Sequence, residues 1–127
     1  MTDDVTTISQ LKDAVHALVL KKGWGEKGVQ NSQHVAIAMS VEMSELLENF
    51  QWMEKEDVLR LQQGLDPERK ARIAEEFADV MMYGLQLMQN LGIDVSKEIE
   101  RKIDIVLRRP SGKRGRYIRE DELADAK

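Results

Sequence analysis

Apolar residues recur at intervals of three and four along most of this sequence, a spacing that packed amphipathic helices satisfy and strands do not. Ile8, Leu11, Val15, Leu18 and Val19 mark a first helix over residues 7–22, ended by Gly23 and Gly25. A loop from Gly23 to Gln33, carrying Trp24, leads to a second helix from Val35 through Met39, Met43, Leu47 and Phe50 to Trp52. That helix is apolar around most of its circumference, which predicts a place at the centre of the fold. Residues 53–65 read as a connector with a short helical turn. Asp66-Pro67 is an N-cap followed by proline in the first turn, opening a third helix that runs through Ile73, Phe77, Val80 and Leu85 to a C-terminal glycine, Gly92. A fourth starts at Asp94, with Val95, Ile99, Ile103 and Val106 on one stripe, and stops at Pro110. The expected architecture is all-α: a four-helix bundle over residues 1–110, with residues 111–127 as a basic, then acidic, partly mobile tail.

Composition narrows the chemistry. The 127 residues include no cysteine, which removes disulfides, thiolate zinc sites and cysteine nucleophiles together. Nineteen basic against 23 acidic residues leave a net charge of −4, which argues against general attraction to nucleic acid or to an anionic membrane. No stretch is long and apolar enough to span a bilayer, and a cytoplasmic protein is the expectation.

Two of the predicted helices carry acids among apolar neighbours. Glu42 and Glu45 lie three residues apart on the second, and Glu76 and Asp79 repeat the spacing on the third. Three residues on a helix bring two side chains onto one face. Either pair alone is an ordinary helix-surface feature. Together, beside Met39, Val41, Met43, Phe77, Val80 and Met81, they would repel one another and lose solvation unless a cation sat between them. Glu48 and Glu75 extend the group but fall less well on the same lines. All-oxygen donors without clustered histidine select Mg²⁺, with Mn²⁺ next, and Mg²⁺ commonly shares such a site with substrate phosphates.

The stretch Val35-Ala-Ile-Ala-Met-Ser-Val-Glu42-Met-Ser-Glu45-Leu-Leu-Glu-Asn-Phe-Gln-Trp52, followed by Glu76-Phe-Ala-Asp79-Val-Met-Met-Tyr83, resembles the MazG-like all-α nucleoside triphosphate pyrophosphohydrolases. The Phe50-Gln51-Trp52 ending is most similar to the dCTP pyrophosphatase branch. The resemblance covers roughly residues 8–110. It implies hydrolysis of a dCTP-like or modified nucleoside triphosphate to monophosphate and pyrophosphate, a nucleotide-pool housecleaning role, and a homodimer or dimer of dimers. By position it carries over Glu42, Glu45, Glu76 and Asp79 as metal ligands. Glu42 or Glu45 is the candidate catalytic carboxylate that orients or deprotonates the attacking water.

The same resemblance gives Trp52 a base-stacking role, where its local reading is a helix-end aromatic closing the core. Lys102 matches a lysine that reaches the phosphates, with Asp104 in the neighbouring pattern; a snorkelling surface lysine reads equally well. Gln30 and His34 stand where relatives often carry a His and an Asn that contact the nucleotide, so base and sugar recognition here differ from theirs. His34 also reads as a plain helix-start side chain. Val106 and Pro110 replace an Asn and a Tyr of many relatives. Two candidates come from the residues themselves: Trp24 as a wall of the base pocket, and the basic run Arg108, Arg109, Lys113, Arg114 and Arg116, ending at Tyr117, folding over the phosphates. Two other readings stay open: a dUTP or phosphoribosyl-ATP type pyrophosphohydrolase using the same acids, and a helical interaction module whose acids pair with a partner's Lys and Arg.

Overall fold

The structure, a computed structural model, describes residues 1–24 and 30–109. Its described residues form five helices: α1 (Ile8–Lys21), α2 (Ser32–Glu48), α3 (Lys55–Gln62), α4 (Pro67–Asn90) and α5 (Val95–Leu107). The connector expected at 53–65 is thus a helix in its own right, opened by reciprocal bonds between Glu54 and Asp57. The chain divides into two compact units, Met1–Ile93 and Asp94 onward. The tail with Pro110, Lys113, Arg114, Arg116 and Tyr117 lies outside the described residues.

Helix ends follow local chemistry. Thr7 and Gln10 cap α1 reciprocally, the Asn31 side chain accepts from the His34 amide at the start of α2, and Asp66 accepts from the Arg69 amide at the start of α4. Asp94 caps α5 through the Lys97 amide. Gly92 closes α4 at φ +63°, a left-handed turn that a side chain would strain.

In the first unit α2 and α4 pack most extensively, with α1 on α4 and α3 touching α4. The helix pair is antiparallel, because neighbours fall in number along α4 as they rise along α2. Met39 lies over Gly84, Glu42 shares a cleft with Asp79, Glu45 meets Glu76, and Glu48 shares a cavity with Arg72. Gly84 admits the Met39 side chain, since a Cβ there would stand 3.3 Å from its terminal methyl. Val15 and Val19 of α1 and Leu85 of α4 form a small core, flanked by Ile8, Leu11, Trp24, Met81 and Met82.

Two expectations about α2 are corrected. The helix stops at Glu48, so Phe50 and Trp52 fall in the turn beyond it, and Trp52, 85% exposed, closes no core. Nor is α2 central. Only Val35 is buried along it, while Ile37, Val41, Met43 and Leu47 stay about half exposed. An apolar circumference is wider than the surfaces that α1 and α4 of one chain can cover.

Val35 is the side chain sealed completely from solvent. Val35→Ala is expected to lower unfolding free energy by about 2 kcal/mol, from lost apolar burial plus the void left behind. Urea denaturation followed by circular dichroism checks it; a loss below about 0.5 kcal/mol would mean that this contact is not a core contact.

Candidate active site

The repeated three-residue spacing on two antiparallel helices puts both acid pairs on the α2–α4 seam. Carboxylate oxygens of Glu42, Glu45 and Glu76 all lie within 4.8 Å of one another. Asp79, one turn further along α4, lines the adjoining cleft together with Glu42. Glu42, Glu76 and Asp79 are half-buried and Glu45 is exposed. Glu48 lines the neighbouring cavity, and the charge of Glu75 acts on Glu76.

Glu42 and Glu76 are both held above the usual carboxylate range. For each the first cause is loss of water on partial burial, and the next is the charge of Glu45. Asp79 raises both further. No ion pair to these acids occurs among the described residues, where the two salt bridges are Arg69–Asp66 and Arg101–Glu98. Convergent hard oxygens whose own protons are held tightly are the donor set that a divalent cation of the Mg²⁺ type fits.

Two concavities flank the acids. On one side a cleft of about 140 Å³ is lined by Glu42 and Asp79 at its acidic edge and by Trp24, Tyr83, Met82 and Gln86 beyond. The structure therefore brings Trp24 into the same cleft as Glu42 and Asp79. On the other side, Glu45, Glu48 and Glu76 share a cavity of about 360 Å³ with Asn49, Arg69 and Arg72. Sequence reasoning passed over Tyr83, Gln86, Arg69 and Arg72 as site residues. Helical register from Asp79 through Tyr83 to Gln86, and back from Glu76 to Arg72 and Arg69, puts all of them on the face that carries the acids.

The remaining candidates stand elsewhere. His34, in the first turn of α2, is exposed, and its backbone serves the cap. Trp52 is exposed in the turn after α2 and is not among the residues lining the cleft. Lys102 and Asp104 on α5, and Arg108 and Arg109 just past it, are exposed residues of the second unit.

Comparison with known proteins agrees with this geometry. The profile of the MazG-like family matches residues 37–122, and the chain belongs to that family. Its fold is similar to the crystal structure of a pyrophosphatase from Archaeoglobus fulgidus, with a TM-score of 0.69 and 27% sequence identity over 85% of this chain and 95% of that one. No curated protein matches the sequence.

The raised carboxyls have a direct consequence for stability. The folded chain holds the Glu42 and Glu76 protons more tightly than the unfolded chain does. Stability is therefore lost as pH rises from the ordinary carboxyl range through the raised values, and recovered on acidification. In chelator, Glu42→Gln is expected to melt above the wild type near pH 8, with the gap closing toward about pH 5. Calorimetry at the two pH values checks this; a variant melting below the wild type near pH 8 would mean that the Glu42 charge is stabilising.

Proposed function

We propose that this protein is a divalent-cation-dependent nucleoside triphosphate pyrophosphohydrolase, cutting a dCTP-like or modified nucleotide to monophosphate and pyrophosphate. The observation that carries it is the meeting of Glu42, Glu45 and Glu76 beside a cleft that holds an aromatic pair, Trp24 and Tyr83. Membership of the MazG-like family and the likeness to a pyrophosphatase support the reaction class.

Glu42, Glu45, Glu76 and Asp79 would hold the cation, Mg²⁺ or Mn²⁺. Bound there, it would supply charge neutralisation at the phosphates and acidification of water. The chain's own groups do the rest. Trp24 and Tyr83 offer ring faces to the base at one end. Arg69 and Arg72 give the opposite cavity its positive charge, placed for the departing pyrophosphate. Water adds to phosphorus, the bond bridging the α- and β-phosphates breaks, and a carboxylate oxygen of Glu42 or Glu45 takes the water's proton.

The half-exposed Ile37, Val41, Met43 and Leu47 support a homodimer or dimer of dimers, which would cover this face of α2 and Trp52 beyond it. Lys102 and Arg109 stay candidates for phosphate contacts, and His34 for substrate contact. No described helix is long and apolar enough to cross a membrane, which suits the cytoplasmic location we propose.

Pyrophosphate release from a panel of canonical and modified nucleoside triphosphates, with and without Mg²⁺, tests the reading. Activity is expected only with the cation, and Glu45→Gln and Asp79→Asn are each expected to reduce kcat by on the order of 10²–10⁴-fold while remaining folded. A protein that cuts no nucleotide with any divalent cation would instead make the acids structural or a docking surface. Arg72→Ala is expected to raise KM roughly tenfold through one lost charged contact to phosphate, measured by initial rates. An unchanged KM would remove Arg72 from the substrate path.

A further inference from the structure

Two arginines share a cavity with acids of the seam and yet do not pair with them. Arg69 and Arg72 line the same cavity as Glu45, Glu48 and Glu76. All five are described residues, and no ion pair joins either arginine to an acid of that cavity; Arg69 pairs instead with Asp66. Helical spacing alone would bring them together, since Arg72 stands four residues from Glu76 and Arg69 seven, on one face of α4. For Arg72 the order along the chain is reason enough: a cation N-terminal to its acid is the weaker arrangement on a helix, and its exposed side chain keeps its water. Arg69 is different. It is half-buried, and a guanidinium that has lost part of its hydration requires a counter-charge.

Asp66, which does not line the cavity, supplies that counter-charge. Its two oxygens hold Arg69 at both ends: Oδ1 accepts from the backbone amide at 3.2 Å, and Oδ2 lies 3.5 Å from Nε of the guanidinium. The carboxylate is itself fixed as the N-cap of α4. The residue before it is fixed from α3, where the Arg60 carbonyl accepts from the Leu65 amide at 2.9 Å and the Arg60 guanidinium donates to the Leu65 carbonyl at 3.4 Å. A long side chain with many rotamers thus has its direction chosen by a rigid neighbour.

The consequence falls on the seam. Convergent carboxylates attract whatever positive charge reaches them, and an arginine of the chain itself would neutralise them as a metal ion would. A guanidinium settled among their oxygens would occupy the donors that a cation needs. We propose that Asp66 keeps the acid cluster open to a divalent cation by holding Arg69 as its own partner, so that Arg69 lends positive charge to the cavity without becoming the counter-ion of Glu45 and Glu76. Asp66 is a positioning residue, acting through Arg69. The inference rests on the cation site argued above.

Asn caps a helix about as well as Asp, so Asp66→Asn keeps the start of α4 and removes the charge. The experiment is a double-mutant cycle on Mn²⁺ affinity, read from the electron paramagnetic resonance signal of the free ion. It compares the full chain as wild type, Asp66→Asn, Arg69→Ala and the double variant, with helicity and melting temperature recorded for each. Asp66→Asn is expected to bind Mn²⁺ roughly tenfold more weakly than the wild type, while Arg69→Ala and the double variant both stay within about threefold of it. Removal of Arg69 then matters only once Asp66 has lost its charge. Simple long-range attraction between Asp66 and the ion gives another pattern, in which Arg69→Ala tightens binding by the same factor in both backgrounds. That additivity overturns the proposal, as does equal or tighter binding by Asp66→Asn, or a weakening that Arg69→Ala does not restore. If Asp66→Asn does not fold, Asp66→Ser, another favoured cap without charge, takes its place with the same pattern expected. Each of these failures leaves the cation site standing, whereas a wild type that binds no Mn²⁺ overturns both.

Discussion

Repulsion between carboxylates across the α2–α4 seam is the interaction around which the first unit is arranged. Three acids whose oxygens approach within 4.8 Å, with Asp79 raising two of them further, are a poor choice for holding two helices together. Apolar contacts above the acids hold the seam instead, where Val35 is sealed and Gly84 lets Met39 in, together with the Val15–Val19–Leu85 core. Stability is thus concentrated at one end of the helix pair, and the strained electrostatics at the other end form a receptor for positive charge. The packed helix pair brings oxygens of Glu42, Glu45 and Glu76 within reach of a single ion, so a cation would meet ligands held by the scaffold.

Most of this was legible in the sequence because it depends on local chemistry. Helix starts at Asp66 and Asp94 and the stop at Gly92 follow from side chains bonding their own backbone, and the structure has each of them. The acid pairs were legible for a similar reason: a three-residue spacing within one helix fixes a shared face whatever the partner helix does. Their meeting needed only that the two helices run antiparallel.

What was not legible depends on how elements pack. Periodicity marked α2 as apolar all round and so as central, but it could not show that one chain has too little surface to cover it. Phe50 and Trp52 continued the apolar pattern, yet Asn49 ends the helix before them. The Glu54–Asp57 capping box was a local signal for α3, hidden in a polar stretch that reads as a connector. Gln86 and Gln30, 56 positions apart, became a pair only through the fold, and neither residue type announces a site on its own. Arg69 and Arg72 were similarly masked, since basic residues near a helix start are common on solvated faces.

A metal centre at the seam requires that it bind a divalent cation through these side chains. Titration of the protein with Mn²⁺, followed by the electron paramagnetic resonance signal of the free ion, measures this without any assumption about substrate. The predicted result is binding that Mg²⁺ competes away and that Glu45→Gln and Asp79→Asn each weaken by at least roughly tenfold with the helices intact. Equal Mn²⁺ binding by the wild type and both variants, or none by the wild type, would contradict it.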